Sequence, residues 1–269
     1  MRSAPSRLLR ALPTLLRIGV AETVAYRAEF IVWILTTTQP LIMMGLWTSV
    51  AHRGTFKGYD SDAFVAYYLA TLLVRQLTGN WVAWQMMEEI RMGTMAMRLL
   101  RPIHPFVTYT ASQIAALPFR SLIALPLVVI LLITSASGSI THDPLQLGAL
   151  PLSISMAWLI TFAILFAIGA LAFFMTQTMA ISTLYFGLFS LFSGYMLPLD
   201  LLPAPIAKIA AVLPFRFTLS VPVELITRTL THGELGRLLL AQAGWTAALI
   251  IVAVWVWNAG VRRFEAVGT

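Results

Sequence analysis

The chain of 269 residues contains no cysteine and few charged residues. The lack of cysteine excludes disulfides and thiolate chemistry, and the four scattered histidines show no metal-ligand spacing. Charged residues make up 11% of the chain, against roughly 25% in a typical soluble domain. Hydrophobic residues make up 59%, and the mean hydropathy is +0.83. This composition predicts an all-α integral membrane protein, in a chain too short to hold a large soluble domain as well.

Acidic residues are also too few to balance the basic ones. Eighteen lysines and arginines against 11 acids leave a formal net charge of +7. A basic chain can bind nucleic acid, but arginines at the edges of membrane spans are explained by the preference of cytoplasmic loops for positive residues. We therefore predict that the lipid bilayer is a partner of this chain and that nucleic acid is not.

Apolar runs of spanning length, which is roughly 20 residues, occur six times. They are residues 28–51, 63–86, 106–134, 148–175, 178–197 and 238–259. The distribution of arginine and lysine between the flanking segments places both termini and residues 85–105 in the cytoplasm, with 135–147 and 198–238 outside. The sequence thus predicts a single transmembrane domain over residues 1–269, with six spans.

Residues 1–27 are too often interrupted by arginine to form a span or a cleavable signal. In a helical projection, leucines 8, 12, 15 and 16 fall on one side and arginines 7, 10 and 17 on the other. This pattern is typical of an amphipathic helix that lies in the headgroup plane. A frayed cytoplasmic tail is the alternative.

A charged stretch, QMMEEIRMGTMAMRLLRPIHP (residues 85–105), separates the second and third spans. Read as one helix, it is amphipathic and has a broad apolar face. Such a helix can lie on lipid or press its apolar residues into a groove of a soluble partner, and the pattern alone does not decide between them. Gly93 costs roughly 1 kcal/mol relative to alanine in a helix interior, which indicates a close approach to a partner at that position.

Two arginines lie inside predicted spans, Arg75 in the second and Arg120 in the third. A charge at bilayer depth costs at least roughly 2.5 to 3.5 kcal/mol, so each side chain should face protein or water. They either line a cavity that accepts an anionic or zwitterionic substrate group, or they snorkel and bond helix carbonyls.

Between the fifth and sixth spans, residues 198–237 contain two short, proline-punctuated apolar segments, 203–213 and 215–231. Each is too short or too polar to cross the membrane. We predict re-entrant or interfacial helices, whose irregular backbone must be covered by protein.

These segments resemble parts of a known family. EEIRMGTMAMRLLRPIHP is similar to the segment after the second span in type-2 permease subunits of ATP-binding-cassette (ABC) exporters. Residues 193–226, SGYMLPLDLLPAPIAKIAAVLPFRFTLSVPVELI, resemble that family's fifth span and outer segment, and the closing RRFEAVGT is also similar. The landmarks of the outer segment are Gly194, Pro198, Pro203 and Pro214.

The resemblance implies that residues 85–102 form a coupling helix that docks on a separate ATP-binding subunit. The residues carried over to that role are Glu88, Glu89, Arg91, Gly93, Arg98, Leu99, Arg101 and Pro102. It also implies an assembly of two permeases, identical or homologous, with two ATPases in a bacterial cytoplasmic (inner) membrane. The chain lacks a GxxxxGK[ST] loop, so ATP and Mg would be bound by the ATPase, and the chain would not be catalytic. Its apolar walls favour an amphipathic or lipid-like substrate.

A stand-alone secondary transporter is the alternative function. Such a protein needs intramembrane acids or broken helices at the midplane to bind a coupling ion, and no aspartate or glutamate lies deep in a predicted span. An intramembrane enzyme is disfavoured because HExxH and GxSxG motifs and an aspartate pair within the spans are all absent.

Overall fold

The computed structural model describes Pro13, Thr14, Arg17 and residues 39–52, 54–121, 124–135, 137–175 and 178–267. These residues form helices and connecting turns, with one isolated bridge between Phe56 and Tyr59 and no strand among them. The predicted all-α class is therefore confirmed for the described part of the chain. The expected interfacial helix at 1–27 lies outside the described residues, except for Pro13, Thr14 and Arg17, which are helical.

The α-helices of the described residues are numbered here in chain order. They are α1 (Gln39–Ala51), α2 (Ser61–Thr78), α3 (Val82–Arg91), α4 (Met95–Leu99), α5 (Pro105–Ser121), α6 (Ala124–Ser135), α7 (Pro144–Ala170), α8 (Met179–Phe192), α9 (Ala204–Val212), α10 (Pro214–Thr218), α11 (Ser220–Thr227) and α12 (His232–Val267). Short 3₁₀ turns lie after α6, α7 and α8, at Ser137–Ser139, Leu171–Phe173 and Leu199–Leu201.

Side chains cap the first turn of three long helices. Asp60 accepts the Ala63 N–H at 2.8 Å before α2, and Asp143 accepts the Leu145 N–H at 2.8 Å before α7. Thr231 and Glu234 form a reciprocal capping box before α12. Each cap satisfies backbone donors that a helix start would otherwise leave without partners. These polar residues therefore fix where the apolar helices begin.

Two described helices are long and apolar enough to cross a membrane by length and composition. They are Pro144–Phe173, with mean hydropathy 2.3, and His232–Phe264, with mean hydropathy 2.0; Met179–Phe192 is a shorter apolar helix. Within the described residues, the other predicted spans contain shorter helices, with α5 and α6 in the third. The six-span topology therefore stays a prediction, while the two helices agree with a membrane protein.

The second predicted span, 63–86, differs from the single helix that was expected. Helix α2 ends at Thr78, where the Gly79 N–H donates to the Arg75 carbonyl at 3.0 Å, and α3 begins only at Val82. The residues between are Gly79, Asn80 and Trp81. Apolar content continues across this break, so composition alone did not reveal it.

Helix α7 is the central helix of the described structure. It packs against α2, α3, α10, α11 and α12, and 67% of its most apolar window is buried, against 17% for α12. Its rings Phe162 and Phe166 each lie 5.1 Å, centroid to centroid, from Phe106 at the start of α5. Helices that precede α7 in the sequence and helices that follow it therefore pack against this one helix.

Candidate functional site

The charged segment between α2 and α5 consists of two helices instead of the single helix expected over residues 85–102. Helix α3 ends at Arg91, and α4 begins at Met95. Gly93 between them has φ +73°, a left-handed conformation that side chains with a Cβ disfavour. An added Cβ would meet no atom within 4 Å. The turn thus explains the glycine, and the expectation that Gly93 lies inside a helix was wrong, while its approach to a partner stays a prediction.

Glu89 of α3 and Arg98 of α4 face each other across this turn. The Arg98 Nε donates to Glu89 Oε2 at 2.7 Å, and its Nη2 donates to Oε1 at 2.5 Å. Both side chains are only 18% exposed. Such a bidentate guanidinium–carboxylate pair fixes geometry as well as charge. It joins α3 to α4.

Two residues at the start of α5 complete this arrangement, which we call the Glu89–Arg98 cluster. The Tyr109 hydroxyl donates to Glu89 Oε2 at 2.5 Å, and its ring lies 4.2 Å below the Arg98 guanidinium carbon. Arg98 Nη1 also donates to Thr108 Oγ1 at 3.2 Å. Glu89 and Arg98, both expected to meet an ATPase, therefore hold the segment to α5 from within.

Close packing attaches the same segment to α7. A Cβ added at Gly169 of α7 would lie 2.9 Å from the Met86 Cβ and 3.1 Å from the Ala83 Cα, so α3 approaches α7 where α7 has no side chain. Met95 of α4 is fully buried in the main apolar core, and Leu99 packs against that core. The inner face of the segment is therefore fixed to both α5 and α7.

The outer face of the segment remains accessible. We call it the tip surface and define it as Glu88, Arg91, Met92, Met97, Leu100 and Arg101. Its three apolar side chains are largely exposed, at 67% for Met92, 68% for Met97 and 81% for Leu100. Arg91 pairs with Glu88 at 2.6 Å on this surface, and Pro102 lies exposed just beyond it. The apolar residues of the segment thus divide between a buried face and an exposed face.

The connection from the tip surface into α5 carries a histidine. The His104 Nδ1 accepts the Phe106 N–H at 3.2 Å, which satisfies a donor in the first turn of α5. Partial burial lowers the pKa of His104 below its usual value, so the ring is neutral near pH 7 and its Nδ1 can accept this bond. Sequence analysis did not single out this residue.

The outer segment forms α9, α10 and α11. Helix α9 lies within the predicted segment 203–213, whereas the predicted segment 215–231 is divided between α10 and α11, which meet at Leu219. Pro203 immediately precedes α9, and Pro214 is the first residue of α10. Pro198 precedes the 3₁₀ turn that follows α8. A missing N–H is harmless at a helix start, which explains why these prolines set the boundaries.

Tyrosines of α2 hold the bend between α8 and the outer segment. The Tyr67 hydroxyl donates to the Gly194 carbonyl at 2.6 Å, and the Tyr68 hydroxyl donates to the Met196 carbonyl at 2.8 Å. Gly194 has φ +87°, and a Cβ there would lie 2.5 Å from the Tyr67 oxygen. Gly194 is therefore required by both backbone conformation and space.

Two buried glutamines satisfy backbone groups of the outer segment. Gln146 of α7 donates to the carbonyls of Leu225 and Arg228 and accepts the Leu230 N–H at 3.2 Å. Gln242 of α12 donates to the Phe217 carbonyl at 2.9 Å. Irregular backbone at membrane depth must find such partners within the protein. Sequence reasoning missed both glutamines because their partners lie 25 to 84 residues away.

Ion pairs add to this outer network. Arg216 donates to both oxygens of Glu224, at 2.9 and 3.2 Å, and the Ser220 hydroxyl donates to Glu224 at 2.8 Å. Nearer the surface, Asp200 accepts from Arg228 at 2.9 Å and from the Tyr59 hydroxyl at 3.4 Å. Burial, and then the Asp200 carboxylate, raise the pKa of Tyr59 to about 12. The tyrosine therefore stays protonated and can donate.

Comparison with known proteins decides the class of this molecule. The family model described as ABC-2 family transporter protein matches residues 34–268. The chain belongs to this family. It is accordingly the membrane permease component of an ABC transporter and not itself the catalytic part. A search of curated proteins finds no match to the chain.

In this ABC-2 permease, Arg75 lies near the end of α2, half-buried and surrounded by aromatic rings. Its guanidinium carbon is 5.2 Å from the centroid of Phe189 and 6.0 Å from that of Tyr195. Cation–π contacts of this kind stabilise a partly desolvated charge. Arg120 belongs to α5, but its side chain lies outside the described residues.

Proposed function

We propose that this permease works as an exporter and that its tip surface docks on a separate ATP-binding subunit. The observation that carries the proposal is that residues 82–101 have one face fixed to the protein and one face exposed. The Glu89–Arg98 cluster and Met95 fasten the inner side, while Met92, Met97 and Leu100 are exposed on the outer side. Lipid contact alone does not explain a partly buried ion pair that fixes one helix of the segment to the other.

The attachments supply a route for coupling. Movement of the tip surface reaches α5 through Tyr109 and reaches α7 through the contact of Met86 with Gly169. Both helices belong to the packed core, which is close-packed and transmits displacement. Closure of an ATPase against the tip would thus be conveyed to the spans.

The remaining parts of the proposal follow the family. Two ATP-binding subunits would hold ATP and Mg, and the second permease would be an identical or homologous chain. The assembly would sit in a bacterial cytoplasmic membrane with both termini inside. An amphipathic or lipid-like substrate fits walls that carry few charges, with Arg75 and Arg120 as candidate pathway residues.

The test is co-purification and ATP hydrolysis with the P-loop ATPase that assembles with the wild-type chain. We expect Met97→Ala/Leu100→Ala to lower ATPase recovery about tenfold, because losing about 1.4 kcal/mol of contact weakens association by that factor. The matched control is Leu240→Ala/Ile251→Ala, which truncates two side chains of α12 that are 75% and 68% exposed. Equal ATPase recovery and equal hydrolysis from the two double variants would contradict docking at the tip.

A further inference from the structure

An apolar groove runs between α7 and α12, outside the segments discussed above. The two helices lie side by side and point the same way. Ser153 of α7 donates to Gln242 of α12 at 2.9 Å, and about 20 residues further along each helix the ring of Phe173 meets that of Phe264 at 5.5 Å. Between these contacts the helices leave a cavity of about 220 Å³. Its lining includes Ala163, Ala167 and Leu171 on the α7 side and Leu249, Val252 and Val256 on α12.

The size and lining of this groove favour a hydrocarbon chain. Pockets for drug-sized ligands run to roughly 300–1,000 Å³ and carry a few placed polar groups, whereas this cavity is smaller and entirely apolar. It is open on one side. On α12, Ile251 and Trp255 next to it are 68% and 69% exposed, so the groove opens towards a face that carries large apolar side chains.

A basic residue lies beyond one end of the groove. Arg263 follows Val256 by seven residues, about 20° short of two helical turns, so it continues the same stripe of α12 roughly 10 Å further on. Its guanidinium carbon lies 5.8 Å from the ring centroid of Phe174, at the end of the turn that follows α7. Phe173 packs on Gly260 between the groove and the arginine, where a Cβ would lie 2.5 Å from the ring.

An apolar groove with a basic residue beyond one end matches one class of ligand. An anionic phospholipid has a hydrocarbon chain joined to a negatively charged headgroup, and basic sites between helices at the membrane edge attract such headgroups. We propose that the α7–α12 groove holds one acyl chain of an anionic membrane phospholipid and that Arg263 binds its phosphate. The lipid is a resident partner of the permease and is separate from the exported substrate. The site does not depend on docking of an ATPase.

The experiment uses the full-length chain purified in detergent, with phosphatidylglycerol and phosphatidylcholine of equal chain length as probes. Lipids retained per chain are counted by native mass spectrometry. We expect the wild type to retain phosphatidylglycerol in preference, and we expect Arg263→Gln to reduce that preference about fivefold. The matched control is Arg237→Gln, which removes an exposed charge at the opposite end of α12. An unchanged preference in Arg263→Gln would overturn the headgroup assignment.

The acyl-chain part of the proposal is tested from the open side of the groove. Val252 is 46% exposed, so Val252→Phe places a ring over the cavity without entering the protein core. We expect it to lower retention of both lipids. Ala247→Phe is the control, because Ala247 lies on the stripe of Ile251 and Trp255 beside the groove. Equal lipid retention in the two variants would overturn the groove assignment. A loss of dimer mass in Val252→Phe, with no change in the number of bound lipids, would also overturn it.

Discussion

Two neighbouring glutamates of α3 have opposite surroundings. Glu88 pairs with Arg91 at the surface, where the two side chains are 39% and 75% exposed. Exposed pairs of this kind contribute about 0–1 kcal/mol. Glu89 pairs with Arg98 at 18% exposure each and also accepts the Tyr109 hydroxyl. Removal of one partner from such a pair leaves a poorly solvated charge behind.

We predict that Glu89→Gln lowers the free energy of unfolding by about 1 to 3 kcal/mol, because Arg98 loses its countercharge while it retains some exposure to water. Glu88→Gln serves as the matched control and should change that free energy by less than about 0.5 kcal/mol. Denaturant unfolding of the purified chain in detergent measures both. Similar losses in the two variants would show that the Glu89–Arg98 cluster does not stabilise the segment.

Arg75 allows a second prediction for a single residue. If the guanidinium binds an anionic substrate group, Arg75→Leu should reduce transport while expression holds or rises, because the variant avoids roughly 2.5 to 3.5 kcal/mol of insertion cost. Arg75→Lys keeps a cation near Phe189 and Tyr195 and should retain more transport. ATP-driven uptake of an amphipathic dye into inverted vesicles is the measurement. Wild-type uptake by Arg75→Leu would leave the aromatic contacts as the whole role of this arginine.

Among the elements, the α3–turn–α4 pair shows what a helical projection can miss. The projection placed Arg98 on one continuous helix with Arg91, and the family resemblance then implied that both residues contact an ATPase. Gly93 was visible in the sequence, but its cost was attributed to close packing and not to a turn. Once the chain reverses at φ +73°, Arg98 meets Glu89, nine residues earlier.

The outer segment was more predictable, because its boundaries are local. Pro198, Pro203 and Pro214 each mark a helix start that a missing N–H favours. The partners that hold the segment could not be predicted in this way. Gln146 and Gln242 belong to apolar helices elsewhere in the chain, and a single sequence contains no signal that pairs them with carbonyls of α10 and α11.

The turn between α3 and α4 leads to a prediction about Gly93. Gly93→Ala should destabilise the segment by about 1 to 2 kcal/mol, since a left-handed conformation costs that much with a Cβ. Gly93→Asn should cost less, because asparagine tolerates this conformation. Gly244, in the interior of α12 with open space around it, is the control, and its change to alanine should be neutral or stabilising by up to about 1 kcal/mol. Equal unfolding free energies for Gly93→Ala and Gly93→Asn would argue against a conformational role.

At the scale of the whole molecule, the segments that connect the longer helices lie at two opposite ends of α7 and α12. At one end, the Lys57 ammonium donates to the Leu201 carbonyl at 3.2 Å, and the Thr141 N–H donates to the Ile226 carbonyl at 2.7 Å. At the other end, His104 lies 6.1 Å from Trp257. The loops around residues 55, 142 and 200 therefore share one side, and residues 82–104 share the other with the end of α12.

This grouping sharpens the prediction of membrane topology. Because the chain has no cysteine, single cysteines can be introduced at exposed positions and labelled with a membrane-impermeant maleimide. We expect Thr55→Cys and His142→Cys to react from outside intact cells, and Thr94→Cys to react only after the membrane is opened, because the basic residues around the tip surface favour the cytoplasm. The His142 and Thr94 positions are the decisive pair, since α5 and α6 separate them and must together cross the bilayer for the third span to exist. Labelling of both from the same side would contradict the six-span arrangement and would remove the tip surface from reach of a cytoplasmic ATPase.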